Sequence, residues 1–144
     1  MKCFSCEGSG VRACRECFGE GDCTSCRGEA RERCWSCGGT GEYDPDSFSR
    51  KSWARVPEAI RKDVEQYVAA RLPADLLEKL RDLHARGVPI SCDRAFFHFG
   101  GGMAVRNLCR NRLSDDALKV CGGFPSDWDS CYVGVLAAIA AIRQ

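Results

Sequence analysis

Cys3-Phe4-Ser5-Cys6-Glu7-Gly8-Ser9-Gly10 recurs in three further copies along the chain. They are Cys14-Arg15-Glu16-Cys17-Phe18-Gly19-Glu20-Gly21, Cys23-Thr24-Ser25-Cys26-Arg27-Gly28-Glu29-Ala30 and Cys34-Trp35-Ser36-Cys37-Gly38-Gly39-Thr40-Gly41. Each reads Cys-x-x-Cys-x-Gly-x-Gly, except that the third ends in Ala30. Two residues between cysteines let one tight turn aim both thiolates at a single ion, with Zn–S distances of about 2.3 Å. The glycines permit positive φ and close backbone approach, so backbone N–H groups can reach the sulfurs and spread their charge. Each pair supplies half of a tetrahedral site, and four pairs make two four-cysteine sites for two zinc ions per chain.

The intervals between pairs bear on which pairs share an ion. Seven residues separate Cys6 from Cys14, five separate Cys17 from Cys23, and seven separate Cys26 from Cys34. That palindrome suits a nested hairpin. Its middle pairs, Cys14, Cys17, Cys23 and Cys26, close one site around the turn at Phe18 to Asp22. Its outer pairs, Cys3, Cys6, Cys34 and Cys37, meet at the far end of two equal arms. The arms, Gly8 to Ala13 and Arg27 to Arg33, are expected to pair as short antiparallel strands. A sequential arrangement, first pair with second and third with fourth, is the sterically allowed alternative.

Composition divides the chain near Glu42. Eight of the twelve cysteines and eight of the fifteen glycines lie before that residue, in a segment with few large apolar side chains. Such a segment buries too little apolar surface to fold alone and needs a staple, for which metal is the obvious means. The chain has 144 residues and a formal charge of +1, so no global field draws it to nucleic acid or to a membrane. Two tetrathiolate zinc sites would shift that charge from +1 to about −3. Arg12, Arg15, Arg27 and Arg33, beside the ligands, are expected to offset the added charge locally. No apolar run approaches the roughly 20 residues of a membrane span. The start, Met1-Lys2-Cys3-Phe4, enters the cysteine repeat at once and leaves no room for an export signal. The expected compartment is therefore a reducing cytoplasm, where clustered cysteines serve as metal ligands or redox groups before they serve as disulfides.

The repeat resembles the cysteine-rich zinc-finger domain of DnaJ-type co-chaperones and of small stand-alone DnaJ-like zinc proteins. The resemblance covers residues 3 to 41 and implies the same nested pairing of cysteines. The linkers between pairs are shorter here, and the chain contains no His-Pro-Asp tripeptide and hence no J-domain. Stimulation of a partner chaperone's ATPase is not carried over by the resemblance.

The expected architecture is a zinc-stapled β-hairpin module over 1–42, a linker over 43–55, and a mostly α-helical domain over 56–144. Tyr43 to Arg50 reads as a turn-rich connector. Pro57 suits the first turn of a helix to about Leu72, with Ile60, Val64, Tyr67 and Val68 on one face. Pro73 opens a second helix carrying Leu76, Leu77, Leu80 and Leu83, which Gly87 is placed to end. A third helix is expected around Met103 to Asn111, and Ser114 caps a fourth that ends at Gly122. Ser126 is the expected cap of a last helix, with Asp129 in the capping-box position and Tyr132, Val135, Leu136 and Ile139 facing inward. The leucine and valine stripes read as core. Cys92, Cys109, Cys121 and Cys131 lack paired spacing and read as small buried hydrophobes. Pairing of Cys92 with His98 as a nucleophile lacks a third, orienting residue.

Phe96 to Asn107 is unusual for its run of aromatic residues followed by glycines. Glycines opening a helix can cradle an anion on free N–H groups, which makes His98, Gly100, Gly102, Arg106 and Asn107 a candidate functional loop. The simpler reading is that the glycines allow tight packing of an aromatic turn. A strand with Gly-Lys-Ser/Thr is missing, so the stretch is no P-loop. The same residues resemble a small bacterial domain family of unknown function with a His-Phe-Gly-x-Gly-Met-x-x-Arg-Asn core. His98, Phe99, Gly100, Gly102, Met103, Arg106 and Asn107 match that core, and the likeness runs over roughly residues 56 to 142. The family's later His-Pro-Asp-Asp segment is Phe124-Pro125-Ser126-Asp127 here, so its leading histidine is absent.

Three functions compete on this reading. The first is a non-enzymatic adaptor whose zinc hairpin presents Phe4, Phe18 and Trp35 to another protein or an unfolded polypeptide, as apolar residues inside zinc turns have little core to enter. The second is nucleic-acid binding through Arg12, Arg15, Arg27, Arg31 and Arg33. Interleaved acids at Glu7, Glu16, Glu20, Asp22, Glu29 and Glu32 break up any basic stripe and weigh against it. The third is a zinc-linked thiol oxidoreductase, since Cys-x-x-Cys is also the spacing of redox dithiols. Eight thiolates with paired glycines favour metal.

Overall fold

The computed structural model describes residues 1–96, 101–123 and 126–142. The chain forms two compact units, Met1–Asp44 and Pro45–Gln144.

The first unit is a hairpin with little regular structure. Strands β1 (Val11–Ala13) and β2 (Arg31–Arg33) pair antiparallel, with Val11 opposite Arg33 and Ala13 opposite Arg31. The same register continues past both strand ends. Cys14 N donates to Ala30 O at 3.0 Å, Cys34 N to Gly10 O at 2.9 Å, and Cys3 N to Gly41 O at 2.9 Å. Lys2 bridges Glu42, and Tyr43 N donates to Met1 O at 2.7 Å. The strands are shorter than the expected arms, Gly8–Ala13 and Arg27–Arg33. Gly8, Gly10, Arg27, Gly28 and Ala30 all hold positive φ, which interrupts extended backbone. Every buried hydrophobic residue of this unit is a cysteine. A fold whose interior is thiol depends on what the thiols hold.

The described residues of the second unit form six helices: α1 (Ser47–Ala54), α2 (Glu58–Ala69), α3 (Ala74–Ala85), α4 (Gly101–Arg112), α5 (Asp115–Gly122) and α6 (Trp128–Ala141). Two 3-10 turns, Ile90–Cys92 and Arg94–Phe96, lie between α3 and α4. Helix α6 is the centre. Trp128, Cys131, Val133, Val135, Leu136 and Ile139 are buried around its circumference, and α1, α2, α3 and α4 pack on it. A helix apolar on all sides is stable in water only when surrounded in this way. Among the described residues, no helix is long and apolar enough to cross a membrane.

Pro57 and Pro73 stand immediately before α2 and α3, where a missing N–H is no loss. Gly87, at φ +65°, ends α3 as expected. Its N–H donates to His84 O at 3.1 Å and that of Val88 to Leu83 O at 2.9 Å, the paired bonds of a Schellman cap. Ser114 caps α5 by accepting from Ala117 N.

Two expectations are corrected. Residues 43–55 are not simply a linker, because α1 lies within them and belongs to the helical core. Trp53 is buried and packs 5.6 Å from Trp128, and its Nε1 donates to Glu65 Oε1 at 2.8 Å. Ser49 Oγ accepts from Gly134 N at 2.9 Å. Asp46, itself buried, accepts from the backbone of Ile90 and, at 3.1 Å, of Ser91. The cap of α6 is Asp127, whose Oδ1 accepts from Ser130 N at 2.7 Å, and not Ser126. Ser126 is buried one residue too early to reach that N–H.

Candidate metal centres

The hairpin register brings the first repeat against the fourth and the second against the third. Cys3 Sγ lies 3.8 Å from Cys34 Sγ, and Cys6 Sγ 3.7 Å from Cys37 Sγ. In the inner cluster Cys14 Sγ lies 3.6 Å from Cys23 Sγ, Cys17 Sγ 3.7 Å from Cys26 Sγ, and Cys23 Sγ 3.5 Å from Cys26 Sγ. Four sulfurs about 2.3 Å from a central ion stand about 3.8 Å apart along each tetrahedral edge. Both sets, Cys3/Cys6/Cys34/Cys37 and Cys14/Cys17/Cys23/Cys26, keep all ligand atoms within 4.8 Å of one another. The clusters therefore fit two tetrahedral, thiolate-bound ions, and the pairing is nested rather than sequential.

Like meets like in each cluster: first cysteine faces first cysteine, second faces second. Repeats one and four are thus related by a local pseudo-two-fold axis, as are repeats two and three. On the outer axis Ser36 Oγ donates to Ser5 Oγ at 2.9 Å. The glycines allow the close approach. A Cβ on Gly10 would overlap the Gly39 carbonyl, and one on Gly41 would overlap that of Gly8.

Backbone amides reach the second cysteine of three repeats. Gly10 N donates to Cys6 Sγ at 3.3 Å, Gly21 N to Cys17 Sγ at 3.2 Å, and Gly41 N to Cys37 Sγ at 3.3 Å. Burial alone would raise these thiols, yet the N–H donors outweigh it. Cys17, bonded by Gly21 and Gly19, is brought down to about 6, as is Cys37 by Gly41 and Gly39. Donors that favour the thiolate favour the metal-binding form. Burial instead pushes Cys3 up to about 11.

The three aromatic residues singled out from sequence are all exposed: Phe4 at 81%, Phe18 at 87% and Trp35 at 66%. Phe4 meets Tyr43 edge to face, with centroids 6.5 Å apart. The guanidinium carbons of Arg12 and Arg15 lie 5.7 and 5.9 Å from the centre of the Trp35 ring. Both arginines also pair with Glu32, and Arg33 donates to the Gly38 carbonyl. These three are therefore held by neighbours other than the sulfurs whose charge they were expected to offset.

The candidate loop of the helical unit is only partly brought together. His98 and Gly100 lie outside the described residues. Gly102 and Arg106 are buried on α4, Arg106 pairing with Asp129, whereas Asn107 is exposed. Cys109 and Cys131 are core residues, pushed up to about 12 and about 11 by burial. Cys92 is exposed and Cys121 half-buried, so the reading of all four single cysteines as buried is corrected.

Sequence reasoning passed over the hydroxyl braces of the outer repeats. Ser9 Oγ lies 2.7 Å from the carbonyl oxygens of Cys6 and Val11. Thr40 Oγ1 holds Cys37 O and Glu42 O at 2.8 and 2.9 Å. Reading the four repeats column by column exposes this, since the seventh position runs Ser9, Glu20, Glu29, Thr40. Comparison of the chain with protein-family models, curated proteins and solved structures gave no match.

Proposed function

We propose that the first unit is a zinc-stapled scaffold, without catalytic chemistry of its own, that grips another polypeptide through Phe4, Phe18 and Trp35. Phe18 carries the reading. It is 87% exposed and sits at φ +51°, a left-handed conformation unfavourable for any residue with a Cβ. The same left-handed turn recurs at Glu7, Arg27 and Gly38, so the repeat imposes it, and what sets Phe18 apart is a large apolar side chain left in solvent with no interior to enter. Phe4 and Trp35 occupy equivalent positions of the outer pair of repeats, so the pseudo-dyad presents two aromatic anchors from one rigid clasp. Exposed aromatic side chains on a pre-organised frame are effective contacts for protein segments.

Zinc is the ion that best suits the donors. Four thiolates at tetrahedral spacing leave no open position, which is the arrangement of structural zinc. The resemblance to DnaJ-type zinc fingers supports the same assignment and a chaperone-like preference for unfolded chain. The absence of a J-domain motif from the sequence removes any expectation of ATPase stimulation. Pairing of Arg12 and Arg15 with the one carboxylate of Glu32 offsets one of their two charges, which supports a polypeptide over nucleic acid as the partner. A reducing cytoplasm is the compartment in which eight thiols stay available to metal. The helical unit serves this reading as a second contact surface or as the carrier of the zinc unit.

The test is binding to a permanently unfolded probe, reduced and carboxymethylated lactalbumin, followed by fluorescence anisotropy. A Phe4→Ser/Phe18→Ser/Trp35→Ser chain should keep its metal and lose at least about tenfold in affinity, roughly 1.4 kcal/mol. Equal binding by the variant and the parent would remove these residues from the contact.

A further inference from the structure

The two metal centres have the same ligands but different surroundings, and three independent differences favour the outer one. The first lies in the turns. In the outer repeats the N–H of the first glycine closes the knuckle onto the first cysteine: Gly8 N to Cys3 O and Gly39 N to Cys34 O, both at 3.1 Å. Among the described residues, Gly19 and Gly28 make no such bond to Cys14 and Cys23. The second lies in the braces. Ser9 ties the first repeat to Val11 of β1 and Thr40 ties the fourth to Glu42, while Glu20 and Glu29 occupy the same positions of the inner repeats. Those carboxylates add negative charge beside a site that already carries four thiolates against one divalent ion.

The third difference is Ala30. In the other repeats this position is glycine, and its N–H donates to the second cysteine. At Gly10 and Gly41 the partner repeat's carbonyl fills the space a Cβ would need, so the outer repeats are clamped together. Ala30 has a methyl group and a φ of +59°. Its Cβ lies 3.4 Å from where one on Gly21 would stand, which holds the inner repeats further apart. Among the described residues, no amide donates to Cys26 Sγ. A zinc-bound thiolate without such a donor keeps more charge and is the more easily attacked by protons and competing ligands. Cys23, the nearest sulfur to Cys26, is also the least buried ligand of the inner set.

We propose that the inner centre is an exchangeable metal site, which yields its ion to competing ligands first, while the outer centre is a permanent clasp. The inference rests on the reading of two ions per chain. It gives the shorter end of the hairpin, which carries Phe18, a conformation that depends on metal supply.

Cadmium-113 NMR of the full chain tests this. The loaded protein should show two tetrathiolate signals, each assigned by coupling to the cysteine Hβ protons. On addition of EDTA, the signal coupled to Cys14, Cys17, Cys23 and Cys26 should decay about tenfold faster, the equivalent of one or two missing hydrogen bonds. A Glu20→Ser/Glu29→Thr/Ala30→Gly chain, which gives the inner repeats the outer pattern, should bring the two rates within about threefold. Two signals that decay together, or an outer signal that decays first, overturn the inference and leave the two-centre reading standing. A single signal at one ion per chain removes both.

Discussion

Gly10 lies directly beneath the Gly39 carbonyl, so close that any side chain on Gly10 would overlap that oxygen. The contact is backbone on backbone between the first and fourth repeats, and the pseudo-dyad repeats it between Gly41 and Gly8. It explains why the motif needs its last glycine. A conformational argument alone would not, since Ala30 occupies the same position of the third repeat at φ +59°.

Gly10→Ala should therefore weaken the outer centre severely. Left-handed strain and the clash together cost about 3 kcal/mol, on the order of a hundredfold in metal affinity at that centre. Gly38→Ala is the matched control. Gly38 also has positive φ, at +60°, but a Cβ there meets nothing within 4 Å, so only about 1 kcal/mol should be lost. Competition with a chromophoric zinc chelator reads both.

Asp46→Ala should destabilise the helical unit by about 2–3 kcal/mol, because the backbone N–H groups of Ile90 and Ser91 lose their acceptor. Urea denaturation followed by helical circular dichroism checks it, since among the described residues every α-helix lies in that unit. A true linker residue would leave the midpoint unchanged.

Asp93 links stability to pH. The Ala95 N–H, at 2.8 Å, holds its carboxyl below the usual range against the opposing effect of burial, with Lys79 assisting at 3.2 Å. A depressed native value means that the folded state binds fewer protons there than the unfolded state. Its contribution is complete above the unfolded value of about 3.9 and is lost as pH falls through the native one. Asp93→Asn should flatten the fall of the urea midpoint between about pH 5 and pH 2. An unchanged slope would mean that other carboxylates dominate.

The cysteine spacing favoured the nested ligand sets but left the sequential pairing open, and the strand register, with Val11 opposite Arg33, is what selects between them. Helices α2 to α6 were legible where apolar stripes and punctuating residues agree, as with Leu80 and Leu83 ahead of Gly87. Helix α1 was not. It buries Ser49 and Ser52 along with Trp53, and it fits against Gly134, where a Cβ would come within 2.6 Å of Trp53 Cβ. A contact made of small polar residues on glycine leaves no hydrophobic period, and Asp44-Pro45-Asp46-Ser47 reads as a turn whether or not a helix follows. The cap of α6 was misplaced by one residue because Ser126 and Asp127 are both good caps, and only packing selects between them.

The proposed function stands on two zinc ions held in nested sets of four cysteines. Native mass spectrometry of the Cys3→Ser/Cys37→Ser chain tests that arrangement most directly, beside the unaltered protein. Two zinc ions are expected in the parent and one in the variant, the survivor held by Cys14, Cys17, Cys23 and Cys26. Those two substitutions fall in different sets if the pairing is sequential. A variant with no zinc, or a parent with one, would rule out two nested zinc centres.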